Sequence, residues 1–229
     1  MTSYDTLFHF IAGISAGMSS VAAGHPLDTL KANKQSQLSN PRLFSGMIYP
    51  FFATGIQNSF NFGVYHIALN NTNNHYLSGA ISGAIVSPFV SIFELYKIKA
   101  QNKITMPLSL YRGMKLTCLR ETIGYGLYFD TYERIKRYLL ISKYSQTVSC
   151  LTAGGIAGVN SWLWTYPIDT IKTEVQSGKS FYNVLKTYKK APINLFRGFS
   201  YCIMRAFLCN MIGFYFYEET LKILHTITN

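Results

Sequence analysis

Charge is scarce in this chain, and acid is scarcer than base. Only 14% of the 229 residues are Asp, Glu, Lys or Arg, ten of them acidic against 21 basic. Soluble domains usually carry roughly a quarter. Cysteine is limited to Cys118, Cys150, Cys202 and Cys209 without a CxxC spacing, which argues against a disulfide framework and leaves four small buried hydrophobes. The histidines (His9, His25, His66, His75, His225) are scattered with no metal-ligand spacing. Gly178-Lys179-Ser180 lacks the upstream glycine of a phosphate-binding loop, so an enzyme reading has no support. MTSYDTLFHF has neither a basic n-region nor a cleavage site, so no removable signal peptide is expected and any organelle address would be internal. Uniformly greasy spans are missing too: mean hydropathy is only +0.12. What remains is 48% hydrophobic and 15% aromatic. That balance predicts an all-α membrane protein whose helices turn polar residues inward, with an unusually aromatic soluble α protein as the alternative.

The net charge of +11 would suit nucleic acid or an anionic membrane surface. Its placement decides between them. Fourteen of the 21 basic residues fall near three connecting segments: Lys31 to Arg42, Lys97 to Lys115, and Lys172 to Arg197. Four more (Arg134, Lys136, Arg137, Lys143) follow a fourth helical stretch, Lys222 lies near the end, and Arg120 and Arg205 lie inside helical stretches. There is no single basic arm. The pattern reads as one positive membrane face, with no nucleic-acid partner.

A short pattern occurs three times: Pro26-Leu27-Asp28-Thr29-Leu30-Lys31 with Gln35, Ile92-Phe93-Glu94-Leu95-Tyr96-Lys97 with Gln101, and Pro167-Ile168-Asp169-Thr170-Ile171-Lys172 with Gln176. Each acid follows the second glycine of a GxxxG pair by 11 positions (17 to 28, 83 to 94, 158 to 169). Such a repeat fixes the architecture. Six helical stretches are predicted, roughly Thr6–Gln37, Phe44–Asn70, Tyr76–Asn102, Arg112–Ile141, Gln146–Gln176 and Arg197–Thr226. Each is long enough to cross a bilayer, which takes about 20 residues. Glycines at i and i+4 let helices approach closely in lipid. Polar loops at Asn70–Asn74 and Ser142–Ser145 divide the chain into repeats 1–73, 74–143 and 144–229. One helix pair cannot bury its polar inner face alone; three can close a ring around a central cavity.

Asp28 and Lys31, Glu94 and Lys97, and Asp169 and Lys172 each share a helix face at i, i+3. Charges within a membrane are costly and seldom unpaired. Pairing between helices would give a ring that closes one end of the cavity; three local, solvated pairs are the plainer alternative. Pro26 and Pro167 kink their helices by removing a hydrogen bond, and Pro88 stands in one turn before Ile92.

These residues resemble the Px[DE]xx[KR] signature of the mitochondrial carrier family (solute carrier family 25 type), over essentially the whole chain. Tyr111-Arg112-Gly113 and Phe196-Arg197-Gly198 resemble the family's aromatic–basic–glycine step, and Phe44-Ser45-Gly46 is a copy without the base. The resemblance implies six transmembrane helices as three pseudo-threefold-related pairs, working by alternating access in the mitochondrial inner membrane as a multi-pass monomer. It implies matrix-gate pairs Asp28–Lys97, Glu94–Lys172 and Asp169–Lys31, braced by Gln35, Gln101 and Gln176. It implies structural cardiolipin at Arg112, Gly113, Arg197 and Gly198, where free helix N–H groups face a phosphate, and no other cofactor.

The family's cytosolic gate, [FY][DE]xx[KR], survives in full only at Tyr132-Glu133-Arg134-Ile135-Lys136. The third repeat keeps Tyr217-Glu218 but has Leu221 for the base; the first has Tyr65-His66 and Leu69. This gate is therefore expected to open easily and to insulate poorly. Lys31 to Gly46 spans 15 positions and Lys97 to Gly113 spans 16, against 26 from Lys172 to Gly198. Matrix-surface helices are expected only after the fifth stretch. Compact length, asparagine-rich loops and the HPLDTLK opening resemble a virus-encoded carrier of the giant-virus kind, which would act in a host mitochondrion.

The resemblance places cargo midway along the even helices, 13 positions before each cytosolic-gate acid (133 to 120, 218 to 205). That selects Arg120, Glu121 and Arg205, with Gln57, Asn58 and Asn61 on the second helix and Tyr125 as a stacking ring. Paired guanidinium donors suit a small anion. The first expectation is a nucleotide or deoxynucleotide antiporter; the residues after Asp169 lack the three-arginine hallmark of the ADP/ATP carrier. The alternatives are an amino-acid-like or zwitterionic cargo held by Arg120 and Glu121, or a carrier-fold membrane interaction protein that no longer transports. An internal Arg120–Glu121 pair of purely structural role is also open.

Overall fold

In a computed structural model, the backbone is described for residues 3–36, 48–102, 113–176, 178–196 and 199–228, and side chains for 6–25, 51–94, 113–176, 178–196, 199–200 and 202–227. Helix α1 is Ser3–Ser36, α2 Ile48–Thr72, α3 His75–Asn102, α4 Met114–Ile141, α5 Gln146–Gln176, α6 Phe181–Lys190 and α7 Phe199–Thr228, with a 3-10 turn at Pro192–Phe196 before α7. The described residues are all-helical apart from short connections. The six long helices match the six predicted stretches with ends shifted by up to a few residues. Pro88 and Pro167 both lie inside continuous helices.

Local chemistry sets the ends. The asparagine-rich segment is mostly helical and only Asn73 and Asn74 turn the chain, Asn73 at φ 49°, a conformation Asn tolerates. The Asn74 side chain accepts from the Leu77 N–H at 3.0 Å and so caps α3. Gly113, at φ 79°, supplies the left-handed N-cap of α4.

The long helices close a ring. Helix α1 packs on α2, α2 on α3, α3 on α4, α4 on α5, α5 on α7, and α7 back on α1. The three glycine pairs seat α1 on α2, α3 on α4 and α5 on α7. A methyl at Gly13 would come 2.6 Å from the Asn58 carbonyl, and one at Gly154 would come 2.8 Å from the Asn210 carbonyl. Gly79 and Gly83 face the carbonyls of Tyr125 and Glu121 in the same way. Side chains at these positions would force the helices apart.

Polarity runs opposite to that of a soluble bundle. Ser59, Asn61, Ser78, Ser82, Ser91, Thr117, Glu121, Ser149, Lys172 and Gln176 are buried. Leu77, Ile81, Ile85, Phe89 and Phe93 form an outward stripe at i+4 spacing along α3, each 39–60% exposed. Apolar outside and polar inside is the arrangement a bilayer demands. Two segments, Thr6–His25 and His75–Glu94, are also apolar enough by composition to cross a membrane. Helix α6 is the extra element: it leaves Phe181 and Tyr182 exposed and ends in Lys189 and Lys190. It lies in the third interval, where the sequence left room for it.

Candidate functional site

Within the ring lies a cavity of about 290 Å³. Helix α2 lines it with Gln57 and Asn58, α4 with Arg120, Glu121, Tyr125 and Tyr128, α5 with Ser161, Trp162 and Thr165, and α7 with Arg205 and Asn210. Six of the seven residues selected as substrate contacts share this space. Asn61 does not line it. That residue is fully buried one turn on, where its Nδ2 donates to the Tyr125 hydroxyl at 2.7 Å and its backbone carbonyl accepts from Ser82 Oγ at 2.7 Å. It holds Tyr125 in place from behind.

At one end of the cavity is a layer of charge. Arg120 pairs with its neighbour Glu121, reaches Asp169 Oδ1 at 3.4 Å through Nε and stands 4.0 Å from Glu94 Oε1. Its guanidinium carbon sits 4.9 Å from the centre of the Trp162 ring, a cation–π contact. Lys172, only 2% exposed, donates to both Glu94 oxygens at 2.7 and 2.8 Å and contacts Asp169 at 3.0 Å. Two cations thus face three carboxylates with every charge in contact, which is how ionised groups survive burial.

The sequence-predicted matrix pairs divide accordingly. Glu94–Lys172 is formed between α3 and α5. The side chains of Asp28, Lys31, Gln35, Lys97 and Gln101 lie outside those described, and with them the pairs Asp28–Lys97 and Asp169–Lys31. Asp169 meets Arg120 and Lys172, a role for Arg120 that motif spacing did not suggest. Gln176 is fully buried, packs on Gly113 and donates to Thr117 Oγ1 at 3.5 Å.

At the other end is a layer of rings. Phe62, Tyr65, Phe129, Tyr132, Phe214 and Tyr217 are all buried. Tyr65 stacks on Phe129 at 3.8 Å, Tyr132 on Phe214 at 3.6 Å and Tyr217 on Phe62 at 4.0 Å. Each tyrosine lies on the phenylalanine of another helix, so α2, α4 and α7 are linked in a cycle. The signal for this was present: F-x-x-Y occurs at 62–65, 129–132 and 214–217, and i, i+3 puts both rings on one face.

Each tyrosine hydroxyl in the cycle is also held. Tyr65 meets His75 Nδ1 at 2.7 Å, Tyr132 donates to Glu218 at 2.7 Å, and Tyr217 meets His9 Nδ1 at 2.5 Å. Lys136 pairs with Glu218. Glu133 stands apart from that pair and lines a shallow hollow with Lys136, Arg137, Leu140 and Ile141. Leu69 and Leu221, where charge is missing, pack against the ring cluster, and His66 stacks on His9 at 3.7 Å. The expectation of a poorly insulated outer gate rests on a count of charges; the stacked rings are a second kind of contact at this end.

Sequence reasoning also missed Trp162, Tyr128 and Asn210. Ser161, Trp162 and Thr165 continue the inward face that Gly158 begins, at offsets of three, four and seven. The Tyr128 hydroxyl donates to Asn210 Oδ1 at 2.9 Å across the cavity wall. Of the lipid-binding candidates, Gly113 is placed as the α4 cap, while Arg112, Arg197 and Gly198 lie outside the described residues.

Comparison with known proteins now bears on this architecture. The family model described as mitochondrial carrier protein matches residues 143–228. The mitochondrial arginine transporter BAC2 of Arabidopsis thaliana is 30% identical, over 94% of this chain and 90% of that protein. The bovine mitochondrial basic amino acids transporter is 29% identical, over 90% of this chain and 88% of its own length. Mouse solute carrier family 25 member 45 is 26% identical, over 93% and 98%. A closed helical ring with a charged inner cavity, matched along nearly its whole length, belongs to the mitochondrial carrier family: a multi-pass transporter of the mitochondrial inner membrane rather than an enzyme.

Proposed function

We propose that this chain exchanges an amino-acid-like solute, zwitterionic or cationic, by alternating access across six spans arranged as helix pairs 1–73, 74–143 and 144–229. The observation that carries the reading is the adjacency of Arg120 and Glu121 on the cavity wall, with Arg205 opposite on α7. A guanidinium offers two parallel donors to an α-carboxylate, and a carboxylate beside it suits an ammonium group. Glu94 and Asp169, at the floor, give a cationic side chain its counter-charge. The relatives' names speak of arginine and basic amino acids, which favours this reading over the nucleotide one expected first. Two arginines and the Tyr125, Tyr128 and Trp162 rings are what keeps a nucleotide in second place.

In this scheme Asp28, Glu94, Asp169 and their lysine partners gate the matrix side, while Tyr132, Glu133, Lys136 and Glu218 belong to the cytosolic side. The Gly113 turn and the acid-free first turn of α4 suit a cardiolipin phosphate. The protein works as a monomer.

Uptake into liposomes holding the purified protein tests the reading. Arginine and lysine should enter and exchange, and Arg205→Ala should abolish uptake while the protein remains folded. Uptake of ADP or dATP with no amino-acid uptake would replace the proposal with the nucleotide reading. Failure of every solute, together with no thermal-shift response to any, would leave a membrane interaction protein.

A further inference from the structure

We infer that helix α6 and the 3-10 turn after it dock on the anionic lipid headgroups of the bilayer. Lys186, Lys189 and Lys190 serve the phosphates, and Tyr182 and Ile193 seat in the layer beneath them. The surface is separate from the Gly113 turn of α4 and from the cavity, and it does not depend on which solute is carried.

The placement comes from α5. Ile156 and Leu163 are 40% and 45% exposed, on the apolar outer face of the ring. Thr170 follows Leu163 by seven positions and Glu174 by eleven, so both continue that stripe. The segment is bound there. Thr170 Oγ1 donates to the Leu195 carbonyl at 2.8 Å, and the Tyr188 hydroxyl donates to Glu174 at 2.9 Å. One turn before Thr170, the Tyr166 ring lies nearly parallel to that of Phe196. Helix α5 ends at Gln176 and α7 begins at Phe199. The segment therefore lies where these spans leave the membrane, on the lipid-facing perimeter of the ring.

What the segment exposes suits that level. Val184 is buried, and Leu185 and Tyr188 are half-buried. On another flank Tyr182, Lys186 and Lys189 follow at i, i+4 and i+7, with Lys190 beside them, and all four are exposed. Tyr182 is 72% exposed and Ile193 77%. A tyrosine ring has an apolar body and a polar tip, which fits the interface between headgroups and chains. Lysine stems lie along apolar surface and lift their charge to the headgroups.

The charge is of one sign. Between Glu174 and Glu218 the chain has no acid, and Glu174 is engaged by Lys179 and Tyr188. Lys189 and Lys190 also suit a helix C-terminus, but Lys186 lies a turn earlier. A helix with one face packed, and with lysines and an aromatic ring on its free flank, is attracted to an anionic lipid surface.

Hydrogen exchange on the full-length protein in nanodiscs tests this. Amides of residues 181–196 should exchange roughly threefold or more slowly in phosphatidylglycerol discs than in phosphatidylcholine discs. Salt at about 0.5 M should remove most of that difference in the wild type, because the attraction is screened. The combined changes Lys186→Gln, Lys189→Gln and Lys190→Gln should remove it as well, while the same three positions changed to Arg should keep it. Equal exchange in the two lipids, or a difference that survives the glutamine changes, would overturn the inference. So would equal slowing in phosphatidylcholine discs by inorganic phosphate or by polyglutamate, which would assign the patch to a free anion or to an acidic protein.

Discussion

The two ends of the cavity are closed by different physics. One end joins Glu94, Asp169, Lys172, Arg120 and Glu121 in a network where each charge touches another. The other joins six rings in a cycle, with the Lys136–Glu218 pair beside it. Ion pairs between helices are directional and costly to leave half made. Stacked rings depend on area and tolerate small shifts. One closure should therefore fail all at once when a partner is lost, and the other should fail by degrees.

Lys172→Ala should have the largest effect. Removing a buried cation leaves Glu94 and Asp169 facing each other, and breaking a buried pair costs about 3–5 kcal/mol. Thermal unfolding in detergent should show it. The double change Glu94→Gln with Lys172→Met should recover most of the loss, since no orphan charge remains. Should Lys172→Ala unfold like the wild type, the charged layer is not a closure at all.

Phe129→Ala comes next. It removes the partner of Tyr65 and an edge contact to Phe62, and truncation of a buried phenylalanine costs about 3 kcal/mol or more. Transport should persist with a raised leak of internal solute, because the other two stacked pairs remain. A complete loss of transport, as for a broken charge pair, would erase the contrast between the ends.

Tyr132→Phe is smaller. It keeps the stack on Phe214 and deletes one hydroxyl bond to the Glu218 carboxylate, worth about 1.5–3 kcal/mol for a charged acceptor. Lys136 still neutralises Glu218, so the lower figure is expected. The smallest effect belongs to Lys179→Ala at the foot of α6. Its contact with Glu174 at 3.3 Å is solvent-exposed on the lysine side, and such pairs contribute about 1 kcal/mol or less. Unfolding curves of the two variants, measured side by side, rank them.

Much of the architecture was legible in the sequence. The GxxxG pairs in fixed register with an acid and a base announced helix pairs, because close backbone approach and paired charge are local needs written at local spacing. The cavity contacts Arg120, Glu121 and Arg205 came from the family resemblance, which sets the distance from each gate acid; position along a helix then converts to depth. Asn61 failed that count because rotation about the axis matters as much as depth, and its side chain turns toward Tyr125 and Ser82.

What the sequence determined by itself was helix length, the inward placement of small and polar residues, and the three charged motifs, all set by backbone periodicity and the cost of burying charge. Only the tertiary structure decided the partners. Arg120 joins Asp169 across two helices, and Tyr65, Tyr132 and Tyr217 each stack on a ring that lies far away in sequence. His66 and Leu69, which read along the chain as lost charges, are packed into the ring layer by helices whose approach no local pattern specifies.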